Sequence, residues 1–114
     1  MASSHRALLL GFALAAAAVA AVAQTTFATI TGTVADPSGA AVPGASVVAV
    51  HRDSNYRYTA QSNSVGAYTL AQLREGVYTV RVQAPGFKEF VASDVQLVSL
   101  DLRRIDVTLE VGSV

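Results

Sequence analysis

Between Phe27 and Val34 the chain reads Phe-Ala-Thr-Ile-Thr-Gly-Thr-Val, so Thr29, Thr31 and Thr33 alternate with Ala28, Ile30, Gly32 and Val34. A period of two puts one set against a core and the other in water, which is a half-buried strand. Asp36-Pro37-Ser38-Gly39 comes next, with proline at the second turn position and glycine at the fourth, and Pro43-Gly44 punctuates the chain again. The first of these has the chemistry of a type I turn. The run from Ala45 to His51 is too continuous in apolar residues for period alone to choose its inner face: either Ala45, Val47 and Ala49 point inward, or Val48 and Val50 do. The first arrangement is preferred. After the loop Arg52-Asp53-Ser54-Asn55, alternation resumes with Tyr56, Tyr58 and Ala60 set against Arg57, Thr59 and Gln61.

The strongest punctuation lies between Gly66 and Phe90. Tyr68-Thr69-Leu70 reads as one strand, Leu73-Arg74-Glu75-Gly76 reverses the chain, and Tyr78, Val80 and Val82 share one face of the next, which is expected to be central. Pro85-Gly86 ends it, and Phe87 and Phe90 flank Lys88 and Glu89. Val95 to Leu100 forms another apolar run, and Arg103 to Val111 closes the domain with Ile105, Val107, Leu109 and Val111 inward and Asp106, Thr108 and Glu110 outward. No stretch after residue 23 repeats at the helical period. About seven short strands separated by regular turn signals predict an all-β, seven-stranded antiparallel β-sandwich, Ig-like or prealbumin-like, with burial of its Val, Ile, Leu and Tyr side chains as the main stabilising term.

Composition changes this picture at the N-terminus. His5 and Arg6 precede an apolar run from Ala7 to Ala20, and Ala21-Val22-Ala23 leads into Gln24. That order of charged, apolar and small residues is a secretory signal peptide; the alternative, a membrane anchor, asks for a longer and more strongly apolar run than this alanine-rich one. Residues 1–23 are therefore expected to be cleaved, 24–111 to be the domain, and 112–114 to begin a linker or tail. The mature chain would carry seven basic and eight acidic side chains, 7 − 8 = −1, with no basic stripe for a nucleic-acid backbone. With no cysteine there is no disulfide framework, thiolate chemistry or lipid-attachment site. The expected location is exported: periplasmic, outer-membrane-associated or extracellular, with no membrane span in the mature domain.

Ile30-Thr31-Gly32-Thr33-Val34, Asp36-Pro37-Ser38-Gly39-Ala40, Val42-Pro43-Gly44-Ala45, Gly66-Ala67-Tyr68, Leu73 with Gly76-Val77-Tyr78, and Ala84-Pro85-Gly86-Phe87 stand in order along the chain. Together they resemble the carboxypeptidase regulatory-like domain, over essentially Thr26 to Val111. The resemblance implies a transthyretin-like sandwich without catalytic residues of its own. Such domains occur beside peptidase domains, as tandem surface modules, and at the N-terminus of bacterial outer-membrane receptors similar to TonB-dependent transporters. Two departures fall in turns: Arg74-Glu75 stands where the family often has two prolines, and Val65 where it often has an acidic residue. The ending Glu110-Val111-Gly112-Ser113-Val114 resembles the start of the linker that precedes a receptor's plug and barrel, which suggests a piece of a longer protein; a stand-alone module is the alternative.

Candidate chemistry is sparse. His51 is the one histidine left after cleavage, so neither a histidine metal pair nor a Ser-His-Asp arrangement is expected around it, and it reads as a solvated strand-end residue. Asp36, Asp53, Asp94 and Asp101 lack the spacing of a calcium loop, and Asp101 with Asp106 or Glu75 with Glu89 read as surface charge. No catalytic residue, metal site or cofactor is expected. Tyr56 and Tyr58 share one face of their strand; outward they would form a platform for stacking on sugar rings, inward they are core. The absence of tryptophan favours core. The expected function is a non-catalytic structural or interaction module whose partners are envelope proteins or a downstream receptor domain. Carbohydrate binding is the alternative, and nucleic acid is not expected.

Overall fold

The alternation along the chain becomes two facing sheets. The computed structural model describes residues 26–112; the expected signal peptide lies outside the described residues. Eight strands succeed one another: β1 (Ala28–Ala35), β2 (Ser46–His51), β3 (Arg57–Gln61), β4 (Ala67–Leu73), β5 (Gly76–Gln83), β6 (Phe90–Leu97), β7 (Leu102–Arg104) and β8 (Val107–Thr108). One sheet runs β4-β1-β7 with β8 also on β1, and the other runs β3-β2-β5-β6. Ala28, Ile30 and Val34 of β1 face Val47 and Ala49 of β2 and Tyr78, Val80 and Val82 of β5 in one buried core. The preferred inner face of β2 is the observed one: Ala45, Val47 and Ala49 are fully buried.

Turn chemistry behaves as its residues demand. The Asp36 carboxylate accepts from Ser38 N–H, Ser38 Oγ and Ala40 N–H, while Gly39 N–H donates back to the Asp36 carbonyl at 3.0 Å. The Ser38 hydroxyl first, then the backbone donors, hold the Asp36 carboxyl below the usual carboxylate range. Ser62, a buried polar residue, donates its hydroxyl to the Val42 carbonyl at 2.6 Å and accepts from Ala45 N–H at 2.8 Å, tying two turns together beneath the sheets.

Two strands break the period of two. In β4 the partners of β1 slip by one between Ala28↔Leu73 and Ile30↔Leu70, and Gln72 takes φ 60°. In β6 the partners of β5 slip between Tyr78↔Val95 and Val80↔Ala92, and Asp94 takes φ 57°. Each extra residue is a β-bulge that flips the parity of the residues beyond it. Tyr68 and Leu70 are therefore succeeded inward by Leu73, and the half-buried Ala92 by Val95 and Leu97.

The last third of the chain differs most from the expected pattern. The expected sandwich has eight strands, not seven, because the closing segment is split into β7 and β8, and both pair parallel to β1. At the split, Asp106 accepts from Thr33 N–H at 3.0 Å and Thr33 Oγ at 3.2 Å, so a side chain replaces one rung of the ladder. Leu100 lies beyond β6 in a turn, at φ 65° and exposed, not at the end of an apolar strand. Val111 is also exposed: the chain leaves β1 after Leu109 and pairs instead with the Gly86–Lys88 stretch, which turns Val111 outward.

Gly32 explains how β7 can pass so close. A Cβ there would overlap the Ile105 carbonyl oxygen, so only glycine lets that carbonyl settle over β1, where it accepts the Tyr68 hydroxyl at 2.5 Å. Burial, reinforced by the Asp106 charge and opposed by Arg104, pushes the Tyr68 phenol up to about 12.

Candidate functional site

The reversal between β4 and β5 carries the chain from one sheet to the other. Tyr78 secures it by donating its hydroxyl to the Arg74 carbonyl at 2.6 Å, a tyrosine corner made within the crossover itself. Its phenol is raised well above the ordinary range, first by burial and then by the Tyr58 hydroxyl beside it. His51 secures the neighbouring loop. Its Nδ1 accepts from Ser54 N–H at 3.2 Å, which leaves the Nε2 hydrogen for the Glu75 carbonyl at 3.1 Å. Gly76 makes the second contact possible, since a Cβ at that position would collide with the imidazole. The histidine is thus half-buried and fully engaged, where the sequence suggested a solvated side chain.

These two anchors set a row of rings. His51 meets Tyr78 edge-on with centroids 5.2 Å apart, Tyr78 lies 6.0 Å from Tyr58, and Tyr58 lies 4.9 Å from Tyr56. Such separations are those of interacting aromatic pairs. The row runs from core to surface: Tyr78 is fully buried, Tyr58 is half-buried against the core, and Tyr56 is 62% exposed. The two tyrosines named from the sequence share a face, yet they divide the two roles proposed for them. Tyr58 joins the core and Tyr56 stands out.

At the surface end of the row lies a cleft of about 470 Å³ between the outer edges of the two sheets, lined by Phe27, Ser54, Tyr56, Tyr58, Gln72 and Arg74. Neither Phe27 nor Arg74 was named from sequence as a site residue; Phe27 read as the start of β1 and Arg74 as part of a turn that departs from the family pattern. Only the meeting of the β3 and β4 edges brings them beside the tyrosines. Arg74 makes no ion pair among the described residues. The cleft therefore offers aromatic faces and one uncommitted guanidinium. Among the described residues no three His, Cys, Asp or Glu side chains gather in a way that would hold a metal ion.

Several solved structures share the fold. Hydroxyquinol 1,2-dioxygenase from Pseudomonas putida DLL-E4 is 13% identical at TM-score 0.60, covering 78% of this chain and 58% of its own. Catechol 1,2-dioxygenase from Acinetobacter radioresistens is 15% identical at TM-score 0.62, with coverages of 81% and 54%. A chain of a type II cohesin–X-dockerin complex from Acetivibrio cellulolyticus is 14% identical at TM-score 0.63, with coverages of 75% and 58%. The chain spans little more than half the length of these proteins, and identities this low show the shared sandwich alone. Comparison with curated proteins returned no match. The family model for the carboxypeptidase regulatory-like domain, in contrast, matches residues 29–110. The chain belongs to the carboxypeptidase regulatory-like domain family, whose β-sandwich is typically a non-catalytic module.

Proposed function

We propose that the chain is an exported interaction module that forms the N-terminal extension of a TonB-dependent receptor-like outer-membrane protein and contacts envelope proteins through a sheet edge. The observation that carries this reading is the placement of a regulatory-like sandwich, residues 29–110, directly behind the charged, apolar and small-residue order of residues 1–23. An uncovered strand edge beside the aromatic cleft supports a binding role over a purely structural one. The test is the genomic frame beyond Val114 together with fractionation of its natural product. Amphipathic strands of barrel periodicity and recovery in the outer membrane are expected; a stop codon directly after Val114 and a soluble extracellular product would remove the receptor.

A second reading, carbohydrate binding, has the exposed ring of Tyr56 against Tyr58 in its favour. Titration calorimetry with soluble glycans at millimolar concentration tests it: heat that disappears in Tyr56→Ala would support a stacking platform, and no heat from any glycan would end the idea.

A further inference from the structure

The sandwich has four strand edges, and they are not equally protected. Open edges invite pairing with another chain, and natural sheets blunt them with bulges, charges and short strands. On β4 the outward N–H and C=O of Ala67 are taken by Asn63, and the bulge at Gln72 bends the strand soon after. On β6 the bulge at Asp94 interrupts the edge, Asp94 is held by Arg52, and Arg103 donates to the Gln96 carbonyl at 3.0 Å. The remaining edge is broken into β7 and β8, of three and two residues.

The edge of β3 has neither a bulge nor an internal partner for its outward backbone groups among the described residues. Its pairing with β2 runs without a slip from Ser46↔Gln61 to Val50↔Arg57. His51 N–H donates to the Tyr56 carbonyl and Ser62 N–H to the Ala45 carbonyl, so the antiparallel alternation directs the backbone of Tyr58 and Ala60 toward β2. The N–H and C=O groups of Arg57, Thr59 and Gln61 point away from the sheet, and no partner reaches them among the described residues. The aromatic cleft opens along the same side. Arg57 and Arg74 make no ion pair among the described residues, and no carboxylate lines the cleft.

We infer that the β3 edge is a strand-addition site for an extended, acidic, aromatic-bearing peptide segment of a partner protein. This deepens the interaction-module reading and rests on it. Added antiparallel or parallel to β3, the segment pairs its backbone with Arg57, Thr59 and Gln61. Alternate side chains then fall on the cleft side, where a ring stacks beside Tyr56 and a carboxylate meets Arg74. The charge of the site selects this occupant: a second copy of the chain would bring Arg57-Tyr58-Thr59-Ala60-Gln61, which holds no carboxylate for the unpaired Arg74 on the cleft side.

The probe is a fluorescein-labelled peptide, Thr-Glu-Val-Phe-Val-Glu-Thr, titrated into the mature chain, residues 24–114. Its counterpart with both glutamates replaced by lysine should bind at least about tenfold more weakly, as should a probe N-methylated at alternate amides. Thr59→Pro removes an N–H that points away from β2, so the fold should tolerate it while probe affinity falls about tenfold. Amide exchange should slow at Arg57, Thr59 and Gln61 when the probe is bound. Absence of binding at millimolar probe, equal affinity for the lysine peptide, indifference to N-methylation, or protection elsewhere would each overturn the inference. Concentration-dependent dimerisation through β3 without probe would assign the edge to a second copy instead. A frame that continues into a barrel while the probe fails leaves the receptor reading standing. A probe that binds while the frame stops leaves the edge and removes the receptor.

Discussion

The two sides of the sandwich dispose of their polar groups in opposite ways. On the β7–β8 side the Ile105 carbonyl accepts Tyr68, and Asp106 accepts from Thr33 and from Arg104 at 3.0 Å. Hydrogen bonding from Arg104, then from Thr33, keeps the Asp106 carboxyl below the ordinary range. On the β3 side three outward backbone pairs, the hydroxyl of the exposed Tyr56 and two unpaired arginines have no hydrogen-bond or ion-pair partner among the described residues. Where polar groups are satisfied within the chain, substitution costs stability. Where they are left to solvent, substitution is expected to cost binding and little else.

The severest test of that contrast leaves both sides intact and removes the core they share. Val80, fully buried and paired with both β2 and β6, should not tolerate aspartate, since a buried carboxylate without a partner costs more than a small domain has to spare. Val80→Asp should abolish the cooperative thermal transition seen by circular dichroism; a melt within a few degrees of the parent would remove β5 from the centre.

Next in size is Gly32→Ala on the satisfied side. The new methyl would overlap the Ile105 carbonyl oxygen, forcing β7 off β1 at an expected cost of about 3 kcal/mol in urea unfolding. A cost below about 1 kcal/mol would show that β7 is free to move.

Tyr68→Phe leaves shape unchanged but strands the Ile105 carbonyl, and should cost about 1–2 kcal/mol. It also carries a pH signature. The folded phenol is raised to about 12 from 10.0, so its contribution is complete below pH 10 and is lost as pH rises from 10 through 12. Alkaline unfolding should therefore begin at pH 10 in the parent and be shallower in Tyr68→Phe; identical pH profiles would deny the hydroxyl its structural role.

The smallest effect belongs to the open side. Tyr56→Ala should change urea stability by no more than about 0.5 kcal/mol, and a loss comparable to that of Tyr68→Phe would make Tyr56 part of the core.

Much of this organisation was legible along the chain. The inner faces of β1 and β5, the Asp36–Gly39 turn and the two-layer class all derive from residues close in sequence, because a strand's period and a turn's side-chain hydrogen bonds are local. The bulges at Gln72 and Asp94 were not legible. Neither residue is a glycine, and the slip is visible only against the partner strand. The parallel seating of β7 and β8 on β1 was hidden for the same reason, since it depends on Gly32, Tyr68 and Asp106 converging from distant positions.

The candidate site divides along the same line. Its tyrosines were visible as a shared face, because alternation alone aligns Tyr56 with Tyr58. Which ring would be core, and that Phe27 and Arg74 would join them, was decided by the meeting of two sheet edges. Local patterning determined the inner faces of β1 and β5 and the turns between the early strands of this protein. Tertiary structure alone decided which edge stayed open, because an edge is defined by the neighbour a strand lacks, and no strand carries that information within itself.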